Sequence, residues 1–201
     1  MLKDKYNYSE PIFIEDLTNG EIKELNELHK NGVVKQFEKG IYYFWKTMVI
    51  GGKTHELPLR GHDIVVRKYL TNGNEVYGYT SGHTLRNLAG LTRQVPSFWE
   101  ITSNNESAEK NDFRISSEWV ITHHAPTIIT KDNAHNLQFL DLMTLAVPEH
   151  LDEISLFIFN EEWLKENPVV YEELLPYVKL FPEVVKRNLE HPVIREALAQ
   201  I

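Results

Sequence analysis

Residues 18–45 constrain the fold more than any other stretch of this chain. Thr18-Asn19-Gly20 reads as a turn and N-cap, and the residues after it carry a helical rhythm. Ile22, Leu25 and Leu28 recur on one face, while Lys23, Asn26, Glu27 and Lys30 fall on the other. Asn31-Gly32 stops the helix, as a glycine just past a helix end commonly does. Val33–Phe37 and Ile41–Trp45 are then rich in β-branched and aromatic residues on both sides of Glu38-Lys39-Gly40, which predicts a hairpin. A helix that ends at glycine and runs straight into a hairpin with basic residues at its tip is the order of a winged helix-turn-helix. A small α+β unit with an ordinary solvated turn is the other arrangement this pattern allows.

The remaining chain predicts a second domain. Gly51-Gly52 and Pro58 break residues 47–60 into a linker or excursion, so the expected division is 1–50 and 60–201. Gly61–Leu70 and Gly82–Ala89 read as helices and Glu75–Tyr79 as a strand. Pro96–Thr102 and Phe113–Thr122 read as strands flanking a polar loop, Asn104–Asp112. Asp132 and Asn133 are candidate caps for a helix running to Pro148. Beyond it, 151–166, 168–180 and 182–200 are helical in composition and punctuated by Pro168, Pro176, Pro182 and Pro192. The expected fold class is α+β: an N-terminal winged helix-turn-helix, then a mixed α/β domain with a helical C-terminal region.

The charge is unevenly spread. Residues 1–70 hold eleven Lys and Arg against ten Asp and Glu, 71–150 five against nine, and 151–201 five against ten, together giving the net charge of -8. Overall acidity opposes nucleic-acid binding, because cationic side chains supply most affinity for phosphate. The near-neutral N-terminal third leaves room for one end devoted to DNA and another to something else. Absence of cysteine removes disulfides, thiolate metal sites and Cys nucleophiles, and makes the cytoplasm the expected compartment. With no apolar run of about eighteen residues, neither a membrane span nor a membrane partner is expected.

Enzyme signatures are weak. Gly78-Tyr-Thr-Ser-Gly82 puts Ser81 one residue too close to the next glycine for a nucleophile elbow. Gly51-Gly-Lys-Thr54 lacks the first glycine and the strand-to-helix setting of a phosphate loop, so it reads as a flexible turn. His123 and His124 are adjacent on a predicted strand and point to opposite faces, which disfavours one shared metal ion. No catalytic residue, metal or cofactor is expected. A nuclease or nucleotidyltransferase would need carboxylates to converge from distant segments.

The remaining chemical signal is basic: Lys35, Lys39 and Lys46 on or beside the hairpin, with Lys23 and Lys30 on the exposed helix face. Lysines serve phosphates and amides serve base edges when a helix enters the major groove, so Asn19 and Asn26 are the candidate readers. The competing reading is a solvated surface, since Glu21, Glu24, Glu27 and Glu38 are interleaved with these lysines.

Several segments carry a more specific wording: Lys39-Gly-Ile-Tyr-Tyr43, Gly78-Tyr-Thr-Ser-Gly82, Gly90-Leu-Thr-Arg-Gln-Val-Pro96, Thr130–Leu142 and Phe181-Pro-Glu-Val-Val-Lys186. Together they make the chain, from about residue 12 onward, resemble the AbiEi-like type IV antitoxin and transcriptional-regulator family. The resemblance implies a winged-helix head that binds double-stranded operator DNA. It also implies an α/β antitoxin domain that counteracts a nucleotidyltransferase toxin encoded nearby, in an abortive-infection system regulated by the antitoxin itself. The alternative is a non-enzymatic protein-interaction module that has given up DNA.

Overall fold

The computed structural model describes residues 1–105 and 112–199. The chain is α+β with a helical C-terminal region. It divides into two compact units, Met1–Val65 with Ile115–Glu118, and Val66–Arg114 with Trp119–Ile201.

The first unit begins with α1 (Leu2–Lys5), β1 (Pro11–Phe13) and a single 3-10 turn at Ile14–Asp16. There follow α2 (Asn19–Lys30), β2 (Val34–Glu38) and β3 (Ile41–Phe44). The strands form an antiparallel sheet ordered β1-β3-β2, so β3 pairs on both sides. Alternation along the strands puts Ile12, Val34 and Phe44 on the face that meets Leu25 of α2, and Leu2 and Leu17 close the cluster. Leu25 and Ile12 are fully buried.

Residues 47–60, expected to be a linker or excursion, include a second hairpin, β4 (Thr47–Ile50) with β5 (Lys53–Glu56). Its tip is Gly51-Gly52, both with positive φ, which matches the twist of a two-residue hairpin turn. Gly51-Gly-Lys-Thr54 is therefore a strand-to-strand turn. Every residue of β4 and β5 is exposed. Then α3 (Gly61–Val65) starts a helix that widens into a π turn at Val66–Leu70.

In the second unit, a small hairpin of β6 (Thr71–Asn72) and β7 (Glu75–Val76) leads to β8 (Gly78–Thr80), α4 (Gly82–Leu88) and β9 (Trp99–Ser103). The predicted strand Phe113–Thr122 is in fact two, β10 (Asp112–Ile115) and β11 (Glu118–His124), because Ser116 adopts a left-handed turn conformation between them. The sheet order is β10-β11-β9-β8, with β9 parallel to β11 and antiparallel to β8. Of the expected polar loop Asn104–Asp112, residues 106–111 lie outside the described residues, and Asp112 belongs to β10.

The helical region is built around α5 (Ala134–Leu145), whose Leu137, Phe139, Leu140, Leu142 and Met143 are buried on several sides. Asn133 holds the N-cap position, yet its side chain accepts from Thr130 N and donates to the Ile128 carbonyl instead of capping. Next come α6 (Glu153–Phe157), which continues as a wider turn through Leu164, α7 (Tyr171–Val178), α8 (Glu183–Leu189) and α9 (Pro192–Ala199). Phe139, Phe159 and Trp163 stack with ring centroids 5.9 to 6.4 Å apart. Asn188 on α8 donates to the carbonyls of Met143 and Ala146, both at 2.9 Å, and satisfies the end of α5. Among the described residues, no helix is long and apolar enough to cross a membrane.

Candidate functional site

Helix α2 starts with a full capping box. Glu21 N donates to Thr18 Oγ1 at 3.3 Å, and Thr18 N donates to Glu21 Oε2 at 2.8 Å. Those bonds from Thr18, with a further one from Lys5, hold the Glu21 carboxyl at about 2. The neighbouring Glu24 turns the same way, its Oε1 accepting from Leu2 N at 3.0 Å. Two of the acids that the sequence set against phosphate are thus turned back toward α1. Glu27 stays on the exposed side.

At about 100° per residue, Asn19, Lys23, Asn26 and Lys30 fall within a single narrow stripe along α2. All four are exposed, and Leu25 on the far side is fully buried. Lys39 is exposed at the β2–β3 turn. Lys23, Lys30 and Lys39 hold no ion pair among the described residues. Their charges remain available to an anion.

Lys35 and Lys46 behave differently. On β2, Lys35 lies opposite Tyr43, on the sheet face away from α2, because the adjacent Val34–Phe44 pair faces the core. Its ammonium pairs with Glu56 and lies 4.1 Å from the Trp45 ring centroid. Glu56 also accepts from the Tyr43 hydroxyl at 3.0 Å, and burial followed by that carboxylate pushes Tyr43 up to about 12. Lys46 sits 4.9 Å above the Tyr8 ring. Of the seven sequence-predicted residues, then, four converge on α2, Lys39 marks the hairpin turn, and Lys35 and Lys46 are engaged elsewhere. Residues 39–55 nonetheless contain three lysines and no Asp or Glu.

A second polar site, unforeseen from the sequence, lies in the other unit. Parallel pairing of β9 with β11 puts Glu100 and Thr102 on the same sheet face as Ile121 and His123. Glu100 is only 7% exposed, and its Oε1 lies 3.2 Å from His123 Nε2. Its Oε2 accepts the backbone N–H of His83 at the start of α4. Asp141 on α5 accepts from Gly82 N, and burial raises its carboxyl to about 6. Glu100 adds to that rise and His123 opposes it. Burial likewise pushes Tyr79 far up, Asp141 adding to it, while a hydrogen bond with Thr102 acts the other way.

Chemically, the Asp141 carboxyl can hold a proton up to about pH 6. Ser81 beside it is fully buried, so its hydroxyl meets no substrate in this conformation. The hydroxyls of Ser81 and Thr122 have no hydrogen-bond partner among the described residues. Nor is any group of three or more His, Asp or Glu among those residues placed to hold a metal ion. One signal in the sequence pointed here: Asp141 is the only charged residue in the otherwise mostly apolar Leu137–Met143. Glu100 and His123 gave none, because only the strand pairing unites them.

In comparisons with known proteins, no family model and no curated protein matches this chain.

Proposed function

We propose that this chain is a DNA-binding transcriptional regulator acting as an AbiEi-like type IV antitoxin. In this reading the first unit is a winged helix and α2 enters the major groove. Lys23, Lys30 and Lys39 contact phosphates, and Asn19 and Asn26 meet base edges. The observation that carries the reading is the stripe on α2, four phosphate- or base-competent side chains on the exposed side of a helix whose opposite side is sealed by Leu25. The strand order β1-β3-β2, with α2 leading directly into β2, supports it, being the arrangement of winged helices. No cofactor or catalytic step enters.

The test is binding to DNA from upstream of the protein's own gene, followed across salt concentration. Association should weaken linearly on a log-log scale, with a slope of about -0.9 per neutralised phosphate. The antitoxin half of the reading is tested separately, by co-expressing the chain with a neighbouring nucleotidyltransferase and scoring rescue of growth. Rescue absent in cells that hold the folded protein would remove that half.

The net charge of -8 and the exposed Glu27 favour one other reading, a non-enzymatic interaction module that has lost DNA binding. A partner recovered with the protein but no association with upstream DNA distinguishes it.

A further inference from the structure

We infer that Leu88, Val95, Ile154 and Phe157 in the second unit form a docking surface for a cationic amphipathic helix of a partner protein. Their exposures are 59%, 81%, 60% and 59%, so each large apolar side chain is more than half in water. Single exposed apolar residues are ordinary, whereas a group of them marks an interaction site.

Two ties hold the contributing segments side by side. Gly90 has φ +72, and a Cβ there would lie 2.4 Å from Ile158 Cγ2, so the backbone after α4 rests directly on the helix that carries Ile154 and Phe157. Six residues before Ile158 along the chain, at the N-cap of α6, Asp152 Oδ2 receives Arg93 Nη2 at 3.0 Å. Gly90 and Arg93 belong to the Gly90–Pro96 segment, to which the DNA-binding reading gives no role.

Charge selects the occupant. Residues 149–166 carry six acids and one lysine, and that Lys165 is paired with Glu161. Arg93 is itself neutralised by Asp152. Exposed apolar side chains on a segment with this excess of acids complement a helix with leucines on one side and lysines or arginines around them. The same excess repels DNA and opposes a second copy, which would bring the same acids.

The test uses the full chain with selectively labelled methyl groups and a synthetic helix of about eighteen residues built from Leu and Lys. Its charge-inverted Leu and Glu counterpart serves as comparison. The Leu and Lys helix should shift the methyl signals of Leu88, Val95 and Ile154, and bind less tightly as salt rises. Ile154→Glu and Phe157→Glu should each weaken it about tenfold while leaving the thermal melt unchanged. Lack of binding, equal binding of the Glu helix, or affinity indifferent to both substitutions overturns the proposal. So does self-association of the chain that Phe157→Glu abolishes, since the surface would then belong to a second copy. Promoter-DNA binding reads out the first unit, and none of these outcomes bears on it.

Discussion

Glu100 occupies the space that a side chain on Gly82 would need. A Cβ at residue 82 would lie 2.5 Å from the Glu100 carboxyl carbon, and the backbone there has φ +57. The turn from β8 into α4 thus closes around a carboxylate, whose Oε2 takes the next N–H, that of His83. Gly82→Ala combines left-handed strain with a clash against a buried charge. It should destabilise the protein by about 2–4 kcal/mol, measured by urea unfolding. A loss below about 0.5 kcal/mol, the range of an ordinary surface change, would mean that Glu100 moves away freely.

Asp141 should titrate near 6 when its carboxyl carbon is followed by NMR. Its folded value exceeds the ordinary 3.8, so the folded protein binds more protons than the unfolded chain between those values. Stability from this group therefore rises as pH falls through 6 and levels off below 3.8, a gain of up to about 3 kcal/mol. Asp141→Asn should lack that rise. Glu21 and Glu56 act with the opposite sign, being held low by hydrogen bonds, first from Thr18 and Lys35 respectively. Their contribution is complete above the ordinary carboxylate value and fades as pH drops below it, toward 2 for Glu21, outside most of the Asp141 window. A carboxyl signal at residue 141 that moves near 4 would contradict the burial assigned to it.

Thr18→Ala removes half of the α2 capping box and should cost about 1 kcal/mol. Leu25→Ala, in a core of few residues, should cost about 2–5 kcal/mol. Hydrogen exchange in α2 and β2 is the suitable readout, because it isolates the first unit from the second. Equal loss of protection in α5 and α8 would mean that the two units unfold as one.

Lys35→Ala should change DNA affinity far less than Lys23→Ala, although both lysines were candidates in the sequence. The reason is local: Lys35 already spends its charge on Glu56 and lies on the sheet face away from α2. Anisotropy titrations of the two single variants at one salt concentration compare them directly. Equal losses would mean that the outer sheet face meets the duplex as much as the helix stripe does.

Short-range features were legible in the residues. Thr18 as cap, the Ile22-Leu25-Leu28 face and the hairpin after Gly32 all depend on neighbours within a few positions, and each is found where the pattern put it. Gly51-Gly52 was read as a break because glycines say only that the chain turns; the pairing of Met48 with His55 across it involves no strong alternation. Asn133 holds the expected N-cap position, but its side chain does not cap because it accepts from Thr130 N instead. The cluster of Glu100, His123 and Asp141 was invisible for a different reason. Glu100 and His123 are joined only by a parallel strand register, and Asp141 comes from a separate helix. The glutamates of α2 show the same limit: nothing local reveals that Glu24 is used by Leu2 N.

The most direct measurement is the salt dependence of binding to the protein's own upstream DNA, for the native chain and for Lys23→Ala with Lys30→Ala. With α2 as the reading helix, the double variant should bind more weakly and its log-log slope should shrink by about 1.8, two phosphate contacts having been removed. Affinity and slope identical to those of the native chain would contradict that role for α2.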